Sequence, residues 1–548
     1  MQRIEFLPGI LILLIALVKL AADLVTFGYD WDIDHMMYFG GRLLAGELHW
    51  TVEYDDKLPI LQALFALPAK AHSIRVWQIM SALGIFAGCV SAYIFVVATI
   101  RDYFPEVRTR AAKTIAFYCA VLIAYSFALL PGGITHINPM AASLAVTSIV
   151  FADAARRQFS KSRTRFFAWY LAAAFCASLA IGIRPYFLYP LILAGVWSAL
   201  KIDRHVAETG QPPPNTNRHL TAPQVLFWGI CWIVFIGFFG LAINALPYLV
   251  VGRMDVLLAG LEMLSQDLNP EGMKSILYRQ YLTLSQRSPD LFVLAVVVWG
   301  ISIIKWPLSL LGTESWRRNY RASLDTGYLV VLCPLLLEVA ILQKHFWSHY
   351  MQMFVPFIWI GVGLLGANLV ARGGFYFSRA QILLLVIAIL ILISFSAREK
   401  IDVSSRAIWK PYSHRHSQAG KLKTFKAFLE TRPASERDFL HPSGMYFHWQ
   451  LDEPRHGFPH AANTRHIASL GWWQNAKVPE HFDLPTNQDA YCSMLESRGP
   501  SLVVKPKKGK KFNLKKCFLE KADSKYLRVK DNPLTKGLVI FERNNDRE

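Results

Sequence analysis

Apolar runs long enough to cross a bilayer recur from near residue 8 to near residue 396, and they constrain the chain more than any motif in it. A spanning helix needs about 20 predominantly apolar residues. LPGILILLIALVKLAADLVTF and AQILLLVIAILILISFSA are of that kind, and no soluble fold needs so many. Composition agrees: 53% of the 548 residues are hydrophobic and 18% are charged, too apolar for a soluble enzyme of this size. The runs predict about eleven spans, near residues 8–27, 76–99, 114–131, 138–154, 166–183, 185–200, 224–247, 290–310, 327–343, 351–371 and 380–396. The first run is longer than a secretory signal core and carries no small-residue cleavage site, so it is expected to be retained.

The net charge is +19, and many of the Lys and Arg residues flank apolar runs, as in the arginine-rich loops RDYFPEVRTRAAK, RRQFSKSRTR and SWRRNYRA. Short basic loops stay on the cytoplasmic side. This use of the charge argues against a nucleic-acid partner. It also places residues 28–74, 248–289 and everything after 396 on the extracytoplasmic side. DIDHMMYFGGRLLAG (32–46) and DVLLAGLEMLSQDL (255–268) mix polar and apolar residues over short runs and are expected to lie along the membrane face. The tail alternates helix-like GKLKTFKAFLETR and NQDAYCSMLESR with strand-like PSLVV, KYLRVK and GLVIFER, predicting a small α/β domain. The expected division is therefore a membrane domain over 1–396 and a soluble domain over 397–548. Five of the seven cysteines fall in apolar runs. Cys492 and Cys517 lie in the soluble part and are candidates either for a disulfide or for two free thiols.

Chemistry-bearing residues gather outside. Asp30, Asp32 and Asp34 follow the first span directly, in YDWDIDH. Mutual repulsion and nearby lipid raise carboxylate pKa values, which suits a general base; an acidic cap on an interfacial helix is the plainer reading. Arg184, at the turn in IRPY, is placed either to bind a phosphate bidentately or to snorkel to the interface. KHFWSHY supplies Lys344, His345 and His349 ahead of Pro356, as cations or as part of an aromatic belt. Glu338, with Lys19 and Asp23, is ionisable at membrane depth. THINP carries His136, and LDEPRHGFPH carries Arg455 and His456, suited to glycan binding. No histidine spacing there fits a zinc site, and no metal site is assigned. The clustered aspartates leave Mg or Ca open as a cofactor.

The stretch from Asp32 to Gly46, followed by Trp50 and then YDDKLP (54–59), resembles the first loop of the GT-C glycosyltransferases. That superfamily includes protein O-mannosyltransferases, aminoarabinose transferases of lipid A and polyprenol-dependent mannosyltransferases. Arg184-Pro185 and the approach to Pro356 are similar to further motifs of the superfamily. Where its members commonly carry His-Pro-Pro or Tyr-Pro-Pro, this chain has Lys57-Leu58-Pro59. The resemblance implies a mostly α, GT-C type bundle with a C-terminal extracytoplasmic α/β domain. It implies an inverting transferase in a bacterial inner membrane, moving a sugar from a polyprenyl-phosphate donor to a glycan, lipid or protein acceptor. By spacing to Gly46, Asp32 matches the catalytic aspartate, with Asp34 next. Arg184, Lys344, His345, His349 and Lys57 would hold the donor phosphate, and Asp56, His136, Arg455 and His456 the acceptor. A flippase of lipid-linked glycans and a non-catalytic assembly subunit are the rival expectations.

Overall fold

The computed structural model describes residues 6–26, 31–50, 57–104, 106–130, 133–158, 162–195, 222–267, 352–373 and 415–440. It also describes short stretches between 447 and 451, 492 and 506, and 525 and 544. The molecule is mostly helical. Its first helices are α1 (Leu7–Thr26), α2 (Trp31–Leu44), α3 (Pro59–Lys70), α4 (Ile74–Tyr103), α5 (Thr109–Leu129), α6 (Asn138–Gln158) and α7 (Arg163–Ile183). A short apolar stretch, α8 (Pro185–Gly195), precedes α9 (Ala222–Val251) and α10 (Met254–Asp267). Then come α11 (Val355–Gly373) and α12 (Arg415–Glu430).

Among the described residues, four segments are long and apolar enough to cross a membrane: Ile74–Asp102, Thr109–Ala128, Arg163–Ile183 and Leu226–Val251. Large apolar side chains stay outward along them, including Leu83, Phe86, Leu226, Phe238 and Leu241. Such surface is costly in water and is the ordinary outer face of a helix in lipid. The expected spans at 290–310, 327–343 and 380–396 lie outside the described residues.

The chain divides into two compact units, one of Met1–Thr26, Gln78–Ile243 and Asn269–Trp409, the other of Phe27–Trp77, Asn244–Leu268 and Lys410–Glu548. In the first unit, α6 packs along α7, and α5 packs against α1 and α11. Small residues let these helices approach. A Cβ on Gly88 would sit 2.6 Å from the Ser143 side chain, and one on Gly363 would sit 2.3 Å from the Cys119 sulfur. Hydroxyls pin the seams: Ser148 Oγ donates to the Ala173 carbonyl at 2.8 Å, and Ser178 Oγ to that of Ile236 at 2.9 Å.

The polar groups of this unit collect at its two ends. Arg156 and Arg157, closing α6, pair with Asp153 and with Asp102 at the end of α4. Burial works against the Arg157 charge, yet the neighbouring Asp153 and Asp102 carboxylates hold its pKa above the ordinary arginine range. At the other end, where α4 and α6 begin and α7 finishes, Gln78 donates to Thr135 at 3.0 Å and Arg184 donates to Asn138. The helices from α4 to α7 therefore alternate in direction, as the basic loops predict.

In the second unit, α2 packs on α3. Its C-terminal part holds a four-stranded sheet in the order β1-β2-β4-β3. The strands are β1 (Phe439–Leu440), β2 (Leu502–Pro506), β3 (Tyr526–Arg528) and β4 (Leu538–Arg543). β1 and β2 are parallel and the other pairs antiparallel. Phe425, Phe428 and Leu429 of α12 close over Phe439, Leu502, Val504 and Ile540, with Phe447 and Leu451 completing the core. Arg432, just after α12, grips Glu542 of β4 with both terminal guanidinium nitrogens. Cys492 is disulfide-bonded, and its partner cysteine lies outside the described residues.

Candidate active site

The second unit builds the surroundings of the first-loop carboxylates. α2 covers the stretch read as an interfacial helix, and it ends where Gly46 takes φ +83, a left-handed conformation that glycine adopts without penalty. Glu47 N–H then bonds the Arg42 carbonyl and Gly46 N–H that of Leu43, closing the helix with a Schellman motif. Gly40 lies directly against α3: a Cβ there would meet the Phe65 carbonyl at 2.4 Å.

α3 was not anticipated. Pro59 opens it, since proline's fixed φ suits a first helical turn, and Asn244 of α9 accepts the Ile60 N–H at 3.1 Å. Gln62 donates to the Glu47 carbonyl at 2.9 Å, so α3 also holds the end of α2. Phe65 stacks on Trp77 with ring centroids 4.2 Å apart.

The chain beyond α2 is pinned through His49 and Trp50. His49 is buried between the Phe39 and Trp50 rings, and its Nε2 lies 3.0 Å from the Lys57 carbonyl, which accepts the ring proton there. Tyr248 of α9 donates to the His49 carbonyl. Trp50 takes φ 64, uncommon for a bulky residue, and its ring fills the space a Cβ on Gly260 of α10 would occupy, 2.0 Å away. These contacts tie α2, α3, α9 and α10 around the first loop.

Within this frame Asp34 is 2% exposed, on a helix whose residues 33–40 are all buried. Asp32 lies in the first turn of α2, where the helix dipole favours an anion. Lys57 is half-buried at the mouth of α3.

In the first unit, Arg184 is 4% exposed between α7 and α8, with Nε directed at the Asn138 side chain. His136 Nδ1 accepts from the Asn138 N–H at 3.3 Å, and Gln352 Nε2 donates to the Gly133 carbonyl at 3.1 Å. Sequence reasoning singled out Arg184 and the THINP segment with His136 and Asn138, but passed over Gln78 and Gln352. Each of these is an ordinary polar residue whose only signal is its place at a span end. Asp30, Asp56, Glu338, Lys344, His345, His349, Arg455 and His456 lie outside the described residues. Among the described residues, no group of three or more His, Cys, Asp or Glu is arranged to hold a metal ion.

No family model matches the chain, and no curated protein matches it. Among solved structures it is similar to the apo oligosaccharyltransferase of Archaeoglobus fulgidus, at 13% identity and a TM-score of 0.46 over 91% of this chain and 69% of that one. It is also similar to ArnT, an aminoarabinose transferase, from Cupriavidus metallidurans in the apo state, at 11% identity and a TM-score of 0.46 over 97% of each chain. Both are GT-C superfamily members.

Proposed function

We propose that this chain is an inverting membrane glycosyltransferase. It moves a sugar from a polyprenyl-phosphate donor to a glycan, lipid or protein acceptor at the extracytoplasmic face of a bacterial inner membrane. The observation that carries this reading is α2: directly after the first apolar helix, a helix bearing two carboxylates is locked among α3, α9 and α10, with Asp34 out of solvent. A buried carboxylate is expensive unless it is used or tightly partnered.

Asp32, at the start of α2, takes the proton of an acceptor hydroxyl, and that oxygen attacks the anomeric carbon from the face opposite the phosphate. The bond to the phosphate breaks with its electron pair on oxygen. A phosphate leaving group needs charge neutralisation rather than a proton. Arg184, Lys344, His345, His349 and Lys57 are the cations assigned to it, and Asp56, His136, Arg455 and His456 are assigned to the acceptor. In this reading residues 1–396 form the membrane domain, with about eleven spans, and residues 397–548 a soluble domain outside. The disulfide at Cys492 fits an oxidising compartment.

A screen of radiolabelled polyprenyl-phosphate sugars with the purified protein tests the proposal. Transfer of label to an acceptor is expected. Movement of lipid-linked glycan across vesicles with no transfer would replace this reading with a flippase.

A further inference from the structure

One end of the first unit carries a strong excess of positive charge that the proposed mechanism leaves unused. Among the described residues from 101 to 165, eight lysines and arginines stand against three acids. Two of those acids, Asp102 and Asp153, are engaged by Arg156 and Arg157. The surplus meets outward apolar surface on α4 and on α7, the helices on either side of α6: Ser91 of α4 has its hydroxyl oxygen 3.2 Å from that of Thr147, and Ser148 bonds α7. Along α4, Leu83, Phe86, Val90 and Ile94 are exposed at steps of three or four residues, the period of one helix face. Exposed Arg101 lies seven residues beyond Ile94, two turns on along that face. On α7, exposed Arg163 and Arg165 each precede by four residues an exposed ring, Phe167 and Trp169, and residues four apart are neighbours on a helix. No acid occupies the first turn of α7.

We propose that the end of α4 and the start of α7 form a docking surface for anionic phospholipid, with the phosphate held by Arg101, Arg163 and Arg165 and the acyl chains lying along the apolar stripes that these arginines terminate. The apolar segments Ile74–Asp102 and Arg163–Ile183 begin or finish at these residues, so the guanidinium groups stand at the level where a bilayer places its phosphates. A guanidinium can take two phosphate oxygens at once. Charge selects among headgroups: a choline or ethanolamine headgroup brings its own cation into a region already rich in arginine, whereas a glycerol headgroup brings none. The continuity of cation and apolar stripe selects a lipid over a soluble acidic partner, which would leave Phe167 and Trp169 uncovered. No step of the transfer reaction enters this inference, and it holds whichever sugar the chain moves.

The test is native mass spectrometry of the full-length protein released from nanodiscs that hold equal parts phosphatidylcholine and phosphatidylglycerol. Phosphatidylglycerol should be enriched among the lipids that stay bound. Arg163→Gln combined with Arg165→Gln should lower that enrichment, by about fivefold for each arginine removed. Arg163→Lys combined with Arg165→Lys keeps the charge but not the two-pronged grip, should lose less, and serves if the glutamine variant does not fold. Lys423→Gln combined with Lys426→Gln removes two exposed cations of α12 and should leave the enrichment as in wild type. Equal retention of the two lipids by wild type, or unchanged enrichment in the arginine variants, would overturn the proposal and leave these residues as arginines that any headgroup solvates. An equal loss in the lysine variant would overturn it too, because net charge alone would then account for the binding.

Discussion

At the residue scale, the carboxylates of α2 make the most direct test. Asp32→Asn keeps shape but cannot take a proton, so transfer should fall roughly a hundredfold or more, with donor binding retained. Asp34→Asn should cost less, because in the proposed mechanism Asp32 and not Asp34 takes the proton. Steady-state rates of both variants decide it; a dead Asp34 variant beside an active Asp32 variant would exchange their roles. These aspartates were legible in sequence as a cluster after an apolar helix. The burial of Asp34 was not, because it follows from the packing of α2 on α3.

At the element scale, the α2–α3 crossing is the joint on which the first loop depends. Gly40→Ala places a methyl group against the Phe65 backbone, which has no flexible end to yield. The expected loss is about 1–3 kcal/mol, read as a lower thermal midpoint of the purified protein. α3 escaped sequence reading because it is short and falls in a segment read as loop. The C-terminal elements were easier, since their apolar spacing alone separates α12 from β2, β3 and β4. There Tyr526 donates to the Pro500 carbonyl at 2.6 Å, and burial raises its pKa. The folded domain favours the neutral phenol. That stabilisation is complete below about pH 10, the unfolded value, and is lost as pH rises toward the folded one. Tyr526→Phe should flatten the alkaline decline in stability, measured by denaturant unfolding between about pH 9 and 11.

At the scale of the whole molecule, the arginine clusters argue for one orientation. Cysteine labelling in intact cells should reach an engineered site near residue 530 and leave one near residue 160 unlabelled; the opposite pattern would overturn it. The same scale shows what sequence alone determined. Apolar run length located α1, α4 to α9 and α11 to within a few residues, because a sustained apolar run is a signal local in sequence. Basic loops predicted the alternation of α4 to α7, since charge at span ends is local in sequence. What only the tertiary structure decided is which polar residues share an end. Gln78 reaches Thr135, Arg184 reaches Asn138, and Gln352 reaches the Gly133 carbonyl, partners 46 to 219 residues apart. No periodicity records such pairs, because they depend on how helices turn against one another and on where a glycine lets two backbones touch.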